Sequence, residues 1–391
     1  MIVAAIIFWL SFAAVFHSYI LFPLILRLLS SNKISSWKDE IKTDPVFVSI
    51  LISAFNEEKV IREKIESIIQ SAYPSDRYEI LVGSDCSTDQ TNSILSELAV
   101  DPKNKLRFFP FEIRQGKPNV INILVEYAQG DILILSDANV MFDQMTIKEL
   151  MLPFSDPDIG LVDSQMINVG MKREGISQQE KAYISREVRI KHEESLIWGS
   201  MMGPFGGCFA IRKSLFKPVP SNFLVDDFYL NMLVLESGYK AINNPKAIVY
   251  EDVSNDLAIE YRRKIRIATG NFQNLARFKK LLWPPWSGIG FSFLSHKAIR
   301  WFGPFFLALA LISLFILSTV STFFLILFIA NLTLFLAPII DWFFKKLNFH
   351  IFILRFITHF CAMNLAMFIG FVRKMKGVKS NVWEPTKRNQ D

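Results

Sequence analysis

A short apolar run, Ile132 to Leu135, stops abruptly at Ser136, Asp137 and Asn139. An apolar run of this length bounded by turn residues reads as a strand buried on both faces, the kind found in parallel sheets. Open α/β sheets bind ligands at the carboxyl ends of such strands. Asp137 and Asn139 are two apart, so on an extended strand they share a face. Two oxygen donors there can hold a hard divalent cation, which in turn can hold a diphosphate. A plain strand end with turn-forming Asp and Asn is the other reading of the same residues.

The residues before this run repeat the pattern. Val46 to Ser53 reads as a strand, followed by Ala54-Phe55-Asn56-Glu57-Glu58 and a helix from Glu58 to Gln70 with apolar spacing through Val60, Ile61, Ile65, Ile68 and Ile69. Tyr78 to Val82 is a second strand that runs out into Ser84, Asp85 and Asp89, with a helix from Asn92 to Leu98. Leu106 to Phe109 is a third strand, and Gly116 to Tyr127 a further helix. This alternation predicts an α/β domain with a doubly wound, mostly parallel sheet. Three strand ends bring polar residues to one edge: Asn56 and Glu57, Asp85, and Asp137 with Asn139.

The ends of the chain have another composition. The protein is 51% hydrophobic, and most of its 36 phenylalanines lie in the last third. Ile2 to Leu29 is long and apolar enough to cross a bilayer. Arg27 lies near its end and Lys33 and Lys38 follow it, so the positive-inside rule places the next domain in the cytoplasm. Leu281 to Phe293 mixes aromatics, Pro and Gly and reads as interfacial. Phe302 to Ile340 suffices for two spans with a turn near Ser318 to Thr322, and Phe352 to Val372 is a further span interrupted by Arg355 and His359. Three spans after a cytoplasmic domain would put the basic tail from Arg373 to Lys379 outside. Either Phe352 to Val372 is re-entrant or partly interfacial, or the split into two spans is wrong. The expected plan is a membrane helix over 1–30, a catalytic domain over 45–280, an interfacial segment over 281–298, membrane helices over 299–373 and a cytosolic tail over 374–391. The net charge of +6 sits beside the apolar ends and reads as membrane topology or attraction to anionic lipid, with no nucleic-acid partner. Three distant cysteines suggest neither a disulfide framework nor a zinc site.

The middle of the chain holds three more features. Gly175 to Trp198 carries Glu180, Lys181, Arg186, Arg189 and Lys191 at helical spacing and reads as a solvated face. Gly203-Pro204-Phe205-Gly206-Gly207-Cys208 precedes a short strand and permits close backbone approach, or is a structural bulge. Asp226 and Asp227 open a helix, where two acids favour the dipole and cap in any case.

Taken together, these motifs resemble the family 2 glycosyltransferases of GT-A fold, in particular the membrane-embedded group of cellulose, hyaluronan and poly-N-acetylglucosamine synthases. The resemblance covers about Phe47 to Gln273. Val48 to Glu58 is similar to the opening strand and Asn-Glu-Glu nucleotide loop, and Ser84-Asp85-Cys86-Ser87-Thr88-Asp89 to the loop whose second Asp reads uracil. Gly116-Lys117 matches a segment near the donor phosphates, and Asp137-Ala138-Asn139 stands where the family carries Asp-x-Asp. The resemblance therefore implies donor binding by Ala54, Asn56, Glu57, Asp85, Lys117, Asp137, Arg263 and Arg266. It implies Mg2+ or Mn2+ on Asp137 and Asn139, acceptor binding by Gly206, Gly207, Cys208 and Asp226, and Asp227 as catalytic base.

The departures are Ser84 for an acid, Asn139 for the second acid of the metal motif, and, in Tyr261 to Gln273, Arg263 for Gln and Ile267 for Trp, with Arg266 retained. Asn139 weakens the expected metal site, and Ile267 offers no aromatic face to a sugar. The resemblance implies inverting, metal-dependent transfer of a hexose or N-acetylhexosamine from a nucleotide sugar, a UDP-sugar by preference, to a lipid-linked or glycan acceptor at an inner membrane, with partner subunits allowed for. A processive polysaccharide synthase and a catalytically weak scaffold subunit that binds nucleotide sugar are the rival readings.

Overall fold

The structure is a computed structural model that describes residues 1–34, 45–169, 177–252, 257–347 and 351–378. The expectations resting on Lys38, on Gly175, on the tail from Lys379 onward and on the side chains of Glu180 and Lys181 lie outside the described residues.

Eight strands form one sheet: β1 (Val48–Ala54), β2 (Tyr78–Asp85), β3 (Leu106–Phe111), β4 (Ile132–Asp137), β5 (Val140–Phe142), β6 (Ile159–Val169), β7 (Cys208–Arg212) and β8 (Lys240–Asp252), in the order β3-β2-β1-β4-β7-β6-β8-β5. The β1–β2, β1–β4, β2–β3 and β6–β8 pairs are parallel. The β4–β7, β6–β7 and β5–β8 pairs are antiparallel. The parallel half comes from the strand–helix alternation, and β7 joins the second half to it by running the other way. β5 and β8 were not anticipated from the sequence.

Alternation along each strand divides the core into two layers. Val48, Ile50 and Ile52 of β1 pack on one face with Ile61, Ile65 and Ile68 of the Ile61–Ile69 helix. Leu51, Leu81, Leu133 and Leu135 pack on the other, with Val120, Ile121 and Leu124 of the Lys117–Tyr127 helix. Period-two side-chain direction makes this division unavoidable. The second layer also takes in Phe293, Ala298 and Trp301, so the domain core is continuous with the segment expected to lie at the membrane surface. The register sets Ser53 of β1 beside Gly83 of β2 and Asp137 of β4, so the polar strand ends line up.

Ile2–Ser30, Thr322–Phe344 and Phe352–Lys376 are long and apolar enough to cross a membrane. Gly288–Trp301 and Gly303–Ser318 form a further pair, bent by 61°. The turn between Ser318 and Thr322 falls where the sequence placed it. The last helix is continuous over Phe352–Lys376. The break lies earlier, at Phe302, and Arg355 is accommodated 3.9 Å from Asp341 of the preceding helix. Close packing ties this last helix to the domain: a Cβ on Gly370 would lie 2.5 Å from Ala268 Cβ of the Leu257–Phe278 helix.

Candidate active site

At the carboxyl edge of the sheet, the loops after β1 and β2 bond to each other. Asn56 adopts a left-handed conformation, φ +54°, a state Asn tolerates better than most residues. Its Oδ1 accepts from the Thr88 backbone N–H at 2.8 Å, and the Glu57 N–H donates to Thr91 Oγ1 at 2.9 Å. The Glu58 N–H donates to Asp89 Oδ2 at 3.1 Å, while Glu58 Oε2 accepts from Gln90 N–H at 2.9 Å. Ala54, by contrast, is a core residue, 1% exposed.

Asp85 draws a third segment onto this edge. Its two oxygens accept the backbone N–H groups of Gln115 and Gly116 at 2.6 and 2.8 Å. Arg114 stands 3.9 Å from the same carboxylate and lies over the Phe55 ring, 3.4 Å from its centroid. Asp85 is therefore the anchor of the 114–116 turn, and each oxygen keeps a lone pair for a ligand. Asp85→Ala would strand two buried N–H groups. We expect it to cost about 2 kcal/mol of stability and to weaken nucleotide binding, measured by thermal unfolding and by UDP titration.

That turn delivers Lys117 to the centre. Its Nζ is 2.6 Å from Asp137 Oδ1 and 3.9 Å from Asp226 Oδ2. Burial alone would lower the Lys117 pKa, but Asp137, Asp226 and Asp227 outweigh it and hold the ammonium above the usual lysine range. Asp227 behaves oppositely. Burial and the neighbouring Asp226 push its carboxyl up to about 7, only partly offset by Lys117 and by the Phe228 N–H that it accepts at 2.6 Å. A carboxylate that gains a proton near neutrality, recessed beside a fixed cation, is suited to moving a proton. Arg266 lies in the same field of Asp226, Asp227 and Asp137 and donates to the Leu224 carbonyl at 3.2 Å. Arg263 is one turn earlier on the same helix, close enough to lower the Arg266 pKa further after burial.

The glycine strip before β7 meets the end of β4 along one seam. The Gly207 carbonyl accepts from Asp137 N–H at 2.9 Å and from Ser136 Oγ at 3.2 Å. Gly206 has φ +84°, and a Cβ there would lie 2.2 Å from Asp227 Oδ2. Cys208 is buried in the core layer, and burial pushes its thiol up to about 12, so it is an inert filler whose carbonyl accepts from Ser164 Oγ at 2.6 Å.

For a divalent ion the chain offers the half-exposed Asp137 carboxylate. Asn139 is 2% exposed; its Nδ2 donates to Glu251 Oε1 at 3.1 Å, and its Oδ1 is buried without a partner. Among the described residues no cluster of three or more His, Cys, Asp or Glu side chains forms a metal cage. One carboxylate, an unpaired amide oxygen, the donor's phosphates and water suffice for Mg2+ or Mn2+, which rarely need an all-protein cage beside a diphosphate. The residues fit an ion held jointly with substrate.

One residue beneath this turn went unnoticed in the sequence. Lys64 is fully buried, donates to Ser136 Oγ at 2.8 Å and to the Val140 carbonyl, and lies 3.8 Å from the Phe142 ring centroid. It brackets Asp137 to Asn139 from below. The available signal was a lysine on the face defined by Ile61, Ile65 and Ile68.

Comparison with known proteins adds the chemistry. Residues 49–219 match the family profile described as Glycosyl transferase family 2. Over 268 residues the chain is 27% identical to the probable glycosyltransferase YdaM of Bacillus subtilis, covering 64% of this chain and 62% of that protein. Over 180 residues it is 27% identical to the beta-monoglucosyldiacylglycerol synthase of a Nostoc species, covering 46% and 38%. The match thus spans less than two thirds of these relatives' length. The mannosyltransferase PcManGT from Pyrobaculum calidifontis, solved in complex with GDP-Man and Mn2+, shares the fold: TM-score 0.74 over 95% of this chain and 99% of that one, at 20% identity.

Proposed function

We propose that this chain, which carries a family 2 glycosyltransferase domain over residues 49–219 and shares the GT-A fold, transfers a hexose or N-acetylhexosamine from a UDP-sugar, with inversion, to a hydroxyl of a membrane-associated lipid-linked or glycan acceptor. The observation that carries this reading is the Lys117 ammonium set between Asp137 at 2.6 Å and Asp226 at 3.9 Å, beside an Asp227 whose pKa is pushed up to about 7.

The acceptor hydroxyl gives its proton to Asp227 as its oxygen bonds to the anomeric carbon from one face. The bond from that carbon to the phosphate oxygen breaks on the other face, and its electron pair stays with the departing nucleoside diphosphate. One displacement inverts the configuration and needs no protein nucleophile. Lys117 and Arg266 are preorganised cations for the charge that develops on the diphosphate. Asp137, with the Asn139 carbonyl, would hold a divalent ion, which supplies further neutralisation of the phosphates. Asn56, Glu57 and Asp85 frame the nucleotide end, and Gly206 and Gly207 floor the acceptor end.

The membrane reading is supported by helices of sufficient length and apolarity on both sides of the domain and by Arg27 in the last turn of the first of them and Lys33 just after it. Trp283 and Trp286, exposed and packed edge to face at 5.5 Å, follow Lys279 and Lys280. Aromatics and basic side chains of this kind suit a headgroup region. On this reading the domain lies on the cytoplasmic face of an inner membrane.

The test is release of nucleotide by the full chain in detergent with Mn2+, offered UDP-glucose, UDP-N-acetylglucosamine, UDP-galactose or GDP-mannose, with diacylglycerol vesicles as acceptor. Metal-dependent release from one UDP-sugar is expected, reduced about a hundredfold or more in Asp137→Ala. Release confined to GDP-mannose would overturn the choice of base. Release unaffected by chelation or by Asp137→Ala would overturn the role given to that carboxylate.

A further inference from the structure

The Ser177–Trp198 helix does not present the solvated face that its charges suggested. Arg189 is exposed, but Lys191 is 2% exposed, and Glu187 and Glu194, on the same stripe at 4% and 0%, are buried with it. Residues at these spacings lie one above another on a helix. Burying three ionised side chains is costly unless each is paired, and an apolar stripe would hold two helices together as well. What such pairs add is a fixed register between the elements they join.

Those elements lie on opposite sides of the stripe. On one side is the bent segment Gly288–Trp301. His296 is fully buried, with Nε2 2.9 Å from Glu187 Oε2 and Nδ1 2.8 Å from Glu194 Oε1. Lys297 and Arg300 pair with Glu187. Burial would raise the Glu187 pKa, yet Lys297, Arg300 and His296 together hold it well below the carboxylate range. The same segment is joined to the first membrane helix: Ser18 Oγ donates to the Ser295 carbonyl at 2.6 Å, and Arg300 to the Ser18 carbonyl at 3.3 Å.

On the other side is the strip that floors the acceptor site. Glu194 Oε2 accepts from the Met202 N–H at 3.0 Å. Lys191 Nζ pairs with Asp163 Oδ2 at 2.5 Å and lies 3.6 Å from the Phe205 ring centroid. Asp163 Oδ2 also accepts from Asn243 Nδ2 at 3.4 Å. The strip is thus gripped at Met202 and Phe205, and between and beyond these grips it touches the catalytic helix. A Cβ on Gly203 would lie 2.4 Å from the Phe228 ring, and one on Gly206 would meet Asp227. The donor-side bonds, by contrast, run among the loops after β1 and β2 and the 114–116 turn.

We propose that Glu194 and Lys191 are positioning residues for the 202–207 strip, and that His296 makes their placement depend on how the bent membrane-side segment is seated. Transfer to acceptor then depends on that seating, whereas nucleotide binding does not. This rests on the assignment of Asp227 and the strip to the acceptor side.

The test uses the full chain in detergent and in phosphatidylglycerol vesicles, as His296→Ala, Glu194→Ala and Glu194→Gln. His296→Ala is expected to speed hydrogen exchange at the Met202 amide about tenfold, although the substituted side chain does not touch it. UDP affinity with Mn2+ should stay within about twofold, while transfer to diacylglycerol falls about tenfold more than hydrolysis of the donor by water. Glu194→Gln, which keeps an oxygen for the Met202 N–H, should recover most of what Glu194→Ala loses. A folded His296→Ala with unchanged exchange over 201–207 overturns the proposal, as does a loss of UDP affinity that parallels the loss of transfer. Where the alanine variant does not fold, His296→Gln takes its place and the same outcomes decide. The exchange measurement needs no turnover, so it decides even if no donor is cleaved, which would be the failure of the functional reading instead.

Discussion

Asp227→Asn is expected to cut glycosyl transfer about a thousandfold, the middle of the range for losing a general base, and to raise the melting temperature in the same protein. The first effect follows because Asn cannot take the acceptor's proton. The second follows from the direction of the pKa change. Asp227 moves from 3.8 to about 7 on folding, with burial and Asp226 as the causes. A raised carboxylate binds its proton more tightly in the folded state, so stability falls as pH climbs from about 4 to about 7 and stays reduced above that. Asn, uncharged and still able to accept the Phe228 N–H, removes that penalty, which we put at about 2 kcal/mol after allowing for partial solvent access. Thermal unfolding of both proteins at pH 5 and pH 8 checks it: the gain should be large at pH 8 and small at pH 5. A variant that loses transfer and is also less stable at pH 8 would show that Asp227 holds the fold together and is not a strained base. The same pKa gives the parent enzyme an activity that declines as pH falls below about 7.

Gly206→Ala carries an effect as large as that of Asp137→Ala, through geometry alone. The added methyl would sit 2.2 Å from Asp227 Oδ2, and φ +84° is a conformation that costs an L-residue about 1–2 kcal/mol. Either the strip or the carboxylate must shift. A displacement of about 1 Å at the reacting centre costs roughly a hundredfold. We expect that loss in turnover, with UDP affinity nearly unchanged because the donor-side bonds do not involve Gly206. Kinetics with saturating donor, beside UDP titration, separates the two. Equal losses in both would mean that the strip shapes the nucleotide site as well.

The half of the molecule that binds the proposed donor was legible because its signals are local. Ile132 to Leu135 announces a buried strand, and the acids follow within a few residues. β8 was missed because Asn243, Asn244, Pro245 and Lys246 interrupt its apolar residues. The structure satisfies that polar stretch with partners distant in sequence, such as the Glu149 carbonyl for Asn244 Nδ2 at 2.8 Å. Lys64 and Lys191 were missed for the same reason. A charge at helical spacing reads as solvent-facing unless its partner is known, and the Glu194–His296 contact spans 102 positions. Spacing reports which side chains share a face; it does not report what that face meets.

The bonds between the loops after β1 and β2 have a consequence for how such a protein can change. Asn56 with Thr88, Glu58 with Gln90, and Asp85 with Gln115 and Gly116 tie three stretches of chain to one another. Lys117 links them to Asp137 and Asp226, beside the Asp227 to which proton transfer is assigned above. On the donor assignment proposed above, the nucleotide end is a cassette. Residues 55–58, 84–91 and 114–117 are the unit that a lineage, or a designer, would replace together to alter nucleotide preference while leaving the proton-transfer end in place. Grafting any one of the three alone would leave unpaired partners on the other two.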